Sequence, residues 1–171
     1  MSKLKRSALT SSDTRWSRRH LRAARRLVRE LRYGEALDML GEAIARRPSA
    51  ELYDYRGVLL ALMRREEAAL LDYEQALSLA TIPVLQAQVL YHRSLLFGRC
   101  GSYDEALLDL QQAQRRAPGN ATYREAMAAL LSVPSNGSRM DRSAAAPQEK
   151  YTPHTLQDQG NMHEDELGVQ A

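Results

Sequence analysis

The chain has 171 residues, of which 44% are hydrophobic and 6% aromatic, and its net charge is +3. This length holds one domain of ordinary size with tails, and an abundance of Leu and Ala favours helices over strands. The single cysteine, Cys100, excludes an intramolecular disulfide framework. No segment approaches the roughly 18 consecutive apolar residues that a membrane-spanning helix needs. We therefore expect a cytoplasmic protein.

The modest net charge conceals an uneven distribution. Residues 1–50 hold thirteen Lys and Arg against five Asp and Glu, a net of +8, whereas residues 51–171 hold eleven against sixteen, a net of −5. The basic first half predicts an acidic or phosphate-bearing partner. Its Arg-rich and Ser-rich start also resembles a mitochondrial presequence, and Lys3-Leu4-Lys5-Arg6 resembles a nuclear signal, so these two destinations stay open beside the cytoplasm.

A polar arm precedes the first predicted helix. Residues 1–16 are rich in Ser, Thr, Lys and Arg, which predicts a flexible basic arm. The apolar residues that follow recur at intervals of three and four, as on one face of a helix: Leu21, Ala24, Val28 and Leu31. This helix belongs to the predicted folded domain, residues 17–132.

Helices are predicted in pairs. The pairs lie at about 16–31 with 34–46, about 50–63 with 66–80, and about 83–98 with 103–116. Ser102 and Glu105 form a predicted capping box, and Asn120 is predicted to cap a final helix that covers the end of the stack. Hydrophobic periodicity then stops, which predicts a disordered tail over residues 133–171.

The second helices of the three pairs share a repeated block of eight residues. The block starts at Ala36, Ala69 and Ala106, at offsets of 33 and 37 residues. Its fifth residue is large and its last is Ala: Leu40 and Ala43, Tyr73 and Ala76, Leu110 and Ala113. Helices that cross at close range need small side chains at the contact, and a period of this length is typical of stacked helical hairpins.

These residues resemble the tetratricopeptide repeat family, whose units of about 34 residues are pairs of antiparallel helices. The features that fit the family pattern are the turn aromatics Tyr33 and Tyr103, the exit prolines Pro48 and Pro118, and Gly57 in a first helix. The middle pair departs from the pattern with Glu66 at the aromatic position and Thr81 at the proline position. The resemblance implies an all-α fold: a short right-handed α-solenoid of three helix-turn-helix repeats plus a C-terminal capping helix.

The resemblance also implies a binding groove lined by the first helix of each pair. The residues that we expect to bind a partner there are Arg18, Arg22, Arg25, Arg29, Tyr55, Tyr91, His92, Leu95 and Arg99. For the two tyrosines, packing of the ring in the core is an alternative. One subgroup of the family holds the C-terminal carboxylate of heat-shock chaperones with a clamp of Lys, Asn and Arg. The matching positions here are Leu21, Arg25, Tyr55, Gln88 and His92. Nearly all of the clamp residues are absent, which disfavours that ligand.

The strongest candidate feature is a stripe of arginines in the first helix. Their spacing by three and four residues places them on one face: Arg15, Arg18, Arg22, Arg25, Arg29 and Arg32. Guanidinium groups bind carboxylates and phosphates with two hydrogen bonds, which suits an acidic or phosphorylated peptide or a nucleic-acid backbone. A solvated outer face is an alternative, because Arg is also a good helix former. Only Trp16 is near enough to stack on bases, which disfavours specific RNA recognition.

These observations predict a non-enzymatic adaptor or scaffold protein that binds an acidic peptide segment of a partner on its concave, Arg-lined face. The alternative is electrostatic binding of RNA or another polyanion by the Arg-rich first helix. Self-association through the terminal repeats and occlusion of the groove by the acidic tail segment Glu164-Asp165-Glu166-Leu167 are further hypotheses. The sequence has no glycine-rich phosphate loop, nucleophile motif or metal-ligand spacing, so we expect no catalytic residue, no metal and no cofactor.

Overall fold

A computed structural model describes residues 11–132, with side chains from residue 14 onward, and these residues form seven α-helices. The helices are α1 (Ser11–Arg29), α2 (Tyr33–Arg46), α3 (Ala50–Leu62), α4 (Glu66–Leu79), α5 (Pro83–Arg99), α6 (Tyr103–Arg116) and α7 (Ala121–Leu131). Because no strand occurs within this range, the predicted all-α class is confirmed. Most of the predicted arm and the whole predicted tail, residues 133–171, lie outside the described residues.

The helices pack as three hairpins in a row. Helix α1 packs on α2, α3 on α4 and α5 on α6, while α7 packs on α6 and so covers the end of the row. The first helices also contact one another, α1 with α3 and α3 with α5. Three apolar clusters, linked by partly buried residues such as Tyr53 and Leu77, follow one another along the row in place of one central core. This repeat-like order of hairpins and a covering helix agrees with the predicted arrangement, and the solenoid and its right hand stay predictions.

The same backbone turn ends the first helix of each hairpin. Leu31, Arg64 and Gly101 have φ values of 59°, 61° and 80°, in the left-handed region. The amide after each of them donates back to a carbonyl in the last turn of the helix: Arg32 to Leu27, Arg65 to Leu60 and Ser102 to Phe97, each at 2.9 Å. This is the Schellman pattern that ends many helices. Glycine, which adopts this conformation without strain, is present only in the third hairpin.

Close helix crossing accounts for Gly57 in α3, the first helix of the middle hairpin. A Cβ atom built on Gly57 would lie 2.9 Å from Cε1 of Tyr73 and 3.3 Å from the carbonyl oxygen of Ala69. Helix α4 therefore approaches α3 too closely for a side chain at this position. The equivalent positions in the other hairpins hold small residues, Ala24 and Ser94, which are also buried.

Two partly buried ion pairs, each with a buried carboxylate, join the helices of the second and third hairpins. Arg56 in α3 donates twice to the carboxylate of Asp72 in α4, at 2.7 Å for both bonds. Arg93 in α5 donates to Asp109 in α6 in the same way, at 2.7 and 2.8 Å. Both pairs are separated by 16 residues. The equivalent positions of the first hairpin are Ala23 and Met39, so this ion pair has no counterpart there.

One predicted helix start and one predicted helix cap differ from the structure. Helix α1 begins at Ser11, so the last residues of the predicted arm are helical. Packing explains this, because Trp16 lies against the first apolar cluster and the Ser17 hydroxyl donates to that of Ser49 at 2.9 Å. The predicted capping box at Ser102 is wrong, since its side chain makes no capping hydrogen bond and its amide already donates in the turn before α6. The predicted cap at Asn120 is confirmed: its side chain accepts from the amide of Thr122 at 2.9 Å.

Candidate binding groove on the first helices

Helices α1, α3 and α5 together line a cavity of about 120 Å³, which we call the first-helix cavity. Its lining residues are Leu21 and Arg25 from α1, Glu51, Asp54 and Tyr55 from α3, and Leu85, Gln88 and His92 from α5. All five positions that matched the chaperone-tail clamp are among them. Three of the residues predicted to bind a partner, Arg25, Tyr55 and His92, therefore meet at one site.

A buried carboxylate forms the floor of the cavity. Asp54 is only 3% exposed, and its Oδ1 lies 2.8 Å from Nδ1 of His92. Its Oδ2 accepts a hydrogen bond from Nε2 of Gln88 at 3.1 Å. Because an ionised carboxylate can only accept, the His92 ring is the donor. These bonds tie α3 to α5 and compensate for the lost hydration of the carboxylate.

Glu51, Asp54 and Gln88 lie on the groove face that the repeat register predicts for the first helices, although none of them was among the residues expected to bind a partner. The spacing agrees with this register, since Asp54 and Gln88 are 34 residues apart, which is one repeat length. First helices that stack side by side bring such residues together. The structure adds that the Asp54 carboxylate is buried and hydrogen-bonded to α5.

The wall of the cavity combines a cation, an aromatic ring and a second carboxylate. The guanidinium carbon of Arg25 lies 5.7 Å from the centroid of the Tyr55 ring, within the range of a cation–π contact. Burial raises the pKa of the Tyr55 hydroxyl to about 12, although Arg25 and Arg29 act in the opposite direction. Nε of Arg25, Oη of Tyr55 and Oε2 of Glu51 are buried and have no hydrogen-bond partner among the described residues.

Three exposed arginines of α1 lie on the same side of the helix as Arg25. At about 100° per residue, Arg18, Arg29 and Arg22 are rotated from it by about 20°, 40° and 60°. All three are exposed. Within residues 14–132, neither Arg18 nor Arg29 is paired with a carboxylate. They form a basic rim beside the first-helix cavity.

Arg26, beside the stripe, and Arg32, at its end, are engaged by acidic neighbours. Arg26, rotated by about 100° from Arg25, donates to Glu30 at 3.0 Å. Arg32 donates to Glu30 at 2.9 Å and to Glu35 at 2.6 Å. The stripe thus divides into a rim beside the cavity and a set of exposed ion pairs at the end of α1.

Three predicted binding residues lie away from the first-helix cavity. Tyr91 is 2% exposed and contacts the ring of Tyr123 in α7, with 5.3 Å between the ring centroids. Leu95 lines a separate cavity of about 70 Å³ between α5, α6 and α7. Arg99 donates to the carbonyl oxygen of Ala61 at 2.8 Å, which joins α5 to the end of α3. Tyr91 therefore packs in the core, which was the alternative to a contact in the groove.

Other candidate chemistry is weak in the described part of the chain. Burial, with a contribution from Glu66, raises the pKa of the Cys100 thiol, which disfavours a reactive thiolate. The Trp16 ring packs against His20, with 4.1 Å between centroids, and Arg47 lies 5.4 Å from its centre.

From residue 11 to residue 132, no three His, Cys, Asp or Glu side chains are placed to hold a metal ion. None of the helices in this range is both long enough and apolar enough to cross a membrane.

A scan of the chain against protein-family models finds no matching family. A search of curated proteins likewise finds no match.

Proposed function

We propose that this chain is a non-enzymatic adaptor of the tetratricopeptide kind, which binds an extended acidic segment of a partner protein across α1, α3 and α5. The observation that supports it best is the basic rim, Arg18, Arg22 and Arg29, beside the cavity shared by three first helices. The repeated Ala positions and Gly57 support the family assignment. In this proposal the protein presents a surface and carries out no reaction.

Two arginines of the rim have the properties that an acidic ligand requires. Arg18 and Arg29 are exposed, and no carboxylate of the described range neutralises them. A ligand carboxylate can therefore form a new charge-assisted hydrogen bond without breaking an existing one. Exposed ion pairs are worth about 0.2–1 kcal/mol each, so a ligand that contacts both gains about 0.4–2 kcal/mol.

The cavity floor limits where the acidic residues of the ligand can lie. Asp54 and Glu51 would repel a carboxylate that entered the cavity. Acidic side chains of the ligand should therefore lie along α1 and leave the cavity to another group. Binding is expected to weaken with salt, because the rim is exposed and the Debye length is only about 8 Å at physiological ionic strength.

The experiment is a fluorescence anisotropy titration of the full chain with a labelled acidic peptide. The double variant Arg18→Gln/Arg29→Gln should weaken binding by about fivefold. The matched control is Arg19→Gln/Arg115→Gln, which removes the same charge from exposed positions away from the cavity. It should change the affinity by less than about twofold. Equal losses in both variants would contradict the proposal.

The same variants separate this proposal from polyanion binding. A single-stranded RNA homopolymer that binds through net charge should respond equally to both double variants and should weaken steeply with salt. Trp16, the one tryptophan of the chain, already packs against His20, which disfavours its stacking on bases beside the rim. If the RNA binds more tightly than every acidic peptide, the polyanion function replaces the adaptor function.

The occlusion hypothesis concerns residues outside the described part of the chain. It can be tested in the full chain with the triple variant Glu164→Gln/Asp165→Asn/Glu166→Gln. A tail that competes for the basic rim predicts tighter peptide binding after its charges are removed. Unchanged affinity would eliminate the hypothesis.

A further inference from the structure

We propose that the first-helix cavity binds an uncharged carboxamide side chain, Asn or Gln, of the partner segment. The proposal rests on the function proposed above and names the residue that anchors the ligand between its acidic neighbours. It follows from three buried polar atoms that belong to residues lining the same cavity.

The three atoms offer both hydrogen-bond donors and an acceptor. Nε–H of Arg25 is a donor, Oε2 of Glu51 is an acceptor, and the hydroxyl of Tyr55 is either. Each is buried and has no partner within residues 14–132. A polar group of this kind favours a ligand group that completes its hydrogen bonds. The ligand group that fits the cavity therefore presents an acceptor and a donor together.

A carboxamide meets this requirement, and charged groups do not. A carboxylate offers acceptors alone and would lie beside two carboxylates, Glu51 and the buried Asp54. An ammonium group offers donors alone, so it would leave Nε–H of Arg25 without an acceptor. The amide oxygen can accept from Arg25 while the amide nitrogen donates to Glu51. No charge is then added to a site that already holds three charged side chains.

Size and lining agree with this ligand. At about 30 Å³ per water molecule, a volume of about 120 Å³ corresponds to roughly four waters, which is the scale of an Asn or Gln side chain. Leu21 and Leu85 provide apolar surface for the methylene groups. The bonds from His92 and Gln88 hold Asp54 at the floor, so the cavity is preorganised by contacts between α3 and α5.

The test measures binding of the full chain to heptapeptides that differ only at the central residue. Each peptide has three glutamates on either side of a central Gln, Met or Glu. We expect the Gln-centred peptide to bind at least about fivefold more tightly than the Met-centred peptide, which has a similar shape without the amide. It should also bind at least about fivefold more tightly than the Glu-centred peptide, although the latter carries one more negative charge.

A specificity switch assigns the effect to the cavity. Glu51→Gln removes the repulsive carboxylate, so the Gln-to-Glu preference should fall to within about twofold. The matched control is Glu42→Gln, which removes the same charge from an exposed position on α2 and should leave the preference unchanged. Tyr55→Phe keeps the buried ring and should weaken the Gln-centred peptide by about threefold while sparing the Met-centred one.

The outcomes separate this inference from the proposed function. If all three peptides bind with equal affinity, or if the Glu-centred peptide binds most tightly, the acidic-peptide function stands and the carboxamide site is wrong. If no peptide binds at about 1 mM, which corresponds to about −4 kcal/mol, both proposals are wrong. A preference for Gln that survives Glu51→Gln places its origin outside the cavity and also overturns the inference.

Discussion

Replacing helical glycines by alanine should have opposite effects at two positions of this fold. Gly57 lies in α3 and Gly41 in α2, both inside helices, where alanine is intrinsically preferred by about 0.5–1 kcal/mol. On propensity alone, both substitutions should stabilise the protein. The structure predicts that only Gly41→Ala does so, because the space around the two positions differs.

The magnitude follows from the distances to the new methyl group. At Gly57 the Cβ atom would lie 2.9 and 3.0 Å from two ring carbons of Tyr73, whereas carbon atoms pack best at about 3.5–4.0 Å. Tyr73 is fully buried and its ring has little room to move. Overpacking costs about 1–3 kcal/mol, which outweighs the helix preference and leaves a net loss of about 0.5–2 kcal/mol. At Gly41 the nearest atom is 3.9 Å away, at the end of the Arg56 side chain, so the gain of about 0.5–1 kcal/mol remains.

Urea unfolding followed by circular dichroism measures both free energies of unfolding. The two variants should differ by about 1–3 kcal/mol, with the wild-type protein between them. A thermal scan should show the same order, with roughly 4 °C per kcal/mol for a domain of this size. If Gly57→Ala is as stabilising as Gly41→Ala, then α3 and α4 do not cross as closely as described.

Three further predictions concern the turns, the partly buried ion pairs and the buried tyrosine. Leu31→Gly should raise the free energy of unfolding by about 0.5–1 kcal/mol, because Leu31 has a φ of 59° and is 70% exposed; an unchanged or lower value would contradict the left-handed turn. Asp109→Asn should lower it by about 2–3 kcal/mol, since the partly buried guanidinium of Arg93 loses the buried carboxylate that pairs with it. The exposed control Asp104→Asn should change it by less than about 0.5 kcal/mol, and similar small effects at both sites would refute the pairing. The pKa of Tyr55 is raised by burial to about 12, above the unfolded value of about 10, so the folded state holds its proton more tightly and stability is lost as the pH rises from about 10 to 12. Urea unfolding at about pH 9 and about pH 11 should show a smaller loss for Tyr55→Phe than for the wild type, and identical losses would contradict the burial of the hydroxyl.

The helical pairs could be predicted from sequence because their signals are local. Apolar spacing of three and four residues identifies helix faces, and the returning Ala positions identify the crossing points. Gly57, Ala24 and Ser94 lie at equivalent positions of the repeat, and all three are buried, as are the returning Ala residues. The cap at Asn120 is local as well, since it joins residues two apart. The capping box at Ser102 failed because the turn before the helix already uses the Ser102 amide, which residue identity alone does not reveal.

The candidate site depended on contacts that are distant in sequence. Arg25, Tyr55 and His92 were predicted from the repeat register, and the structure brings them to one cavity. Tyr91 is adjacent to His92 and was assigned to the same groove, but it faces α7 instead. Arg99 was assigned to the groove from the same register, although its guanidinium donates to the carbonyl oxygen of Ala61. The identity of a residue does not fix its partner when the partner belongs to another repeat.

Sequence by itself determined the class and order of this fold: helices in three similar pairs, a covering helix and a basic first helix. It could do so because helix periodicity and repeat register involve residues a few positions, or one repeat, apart. Only the tertiary structure decided that Asp54 forms a buried floor, and that the arginines of α1 divide into a basic rim and a set of ion pairs. Those outcomes depend on which side chains meet across α1, α3 and α5, where burial and hydrogen bonding change the chemistry of the same residues.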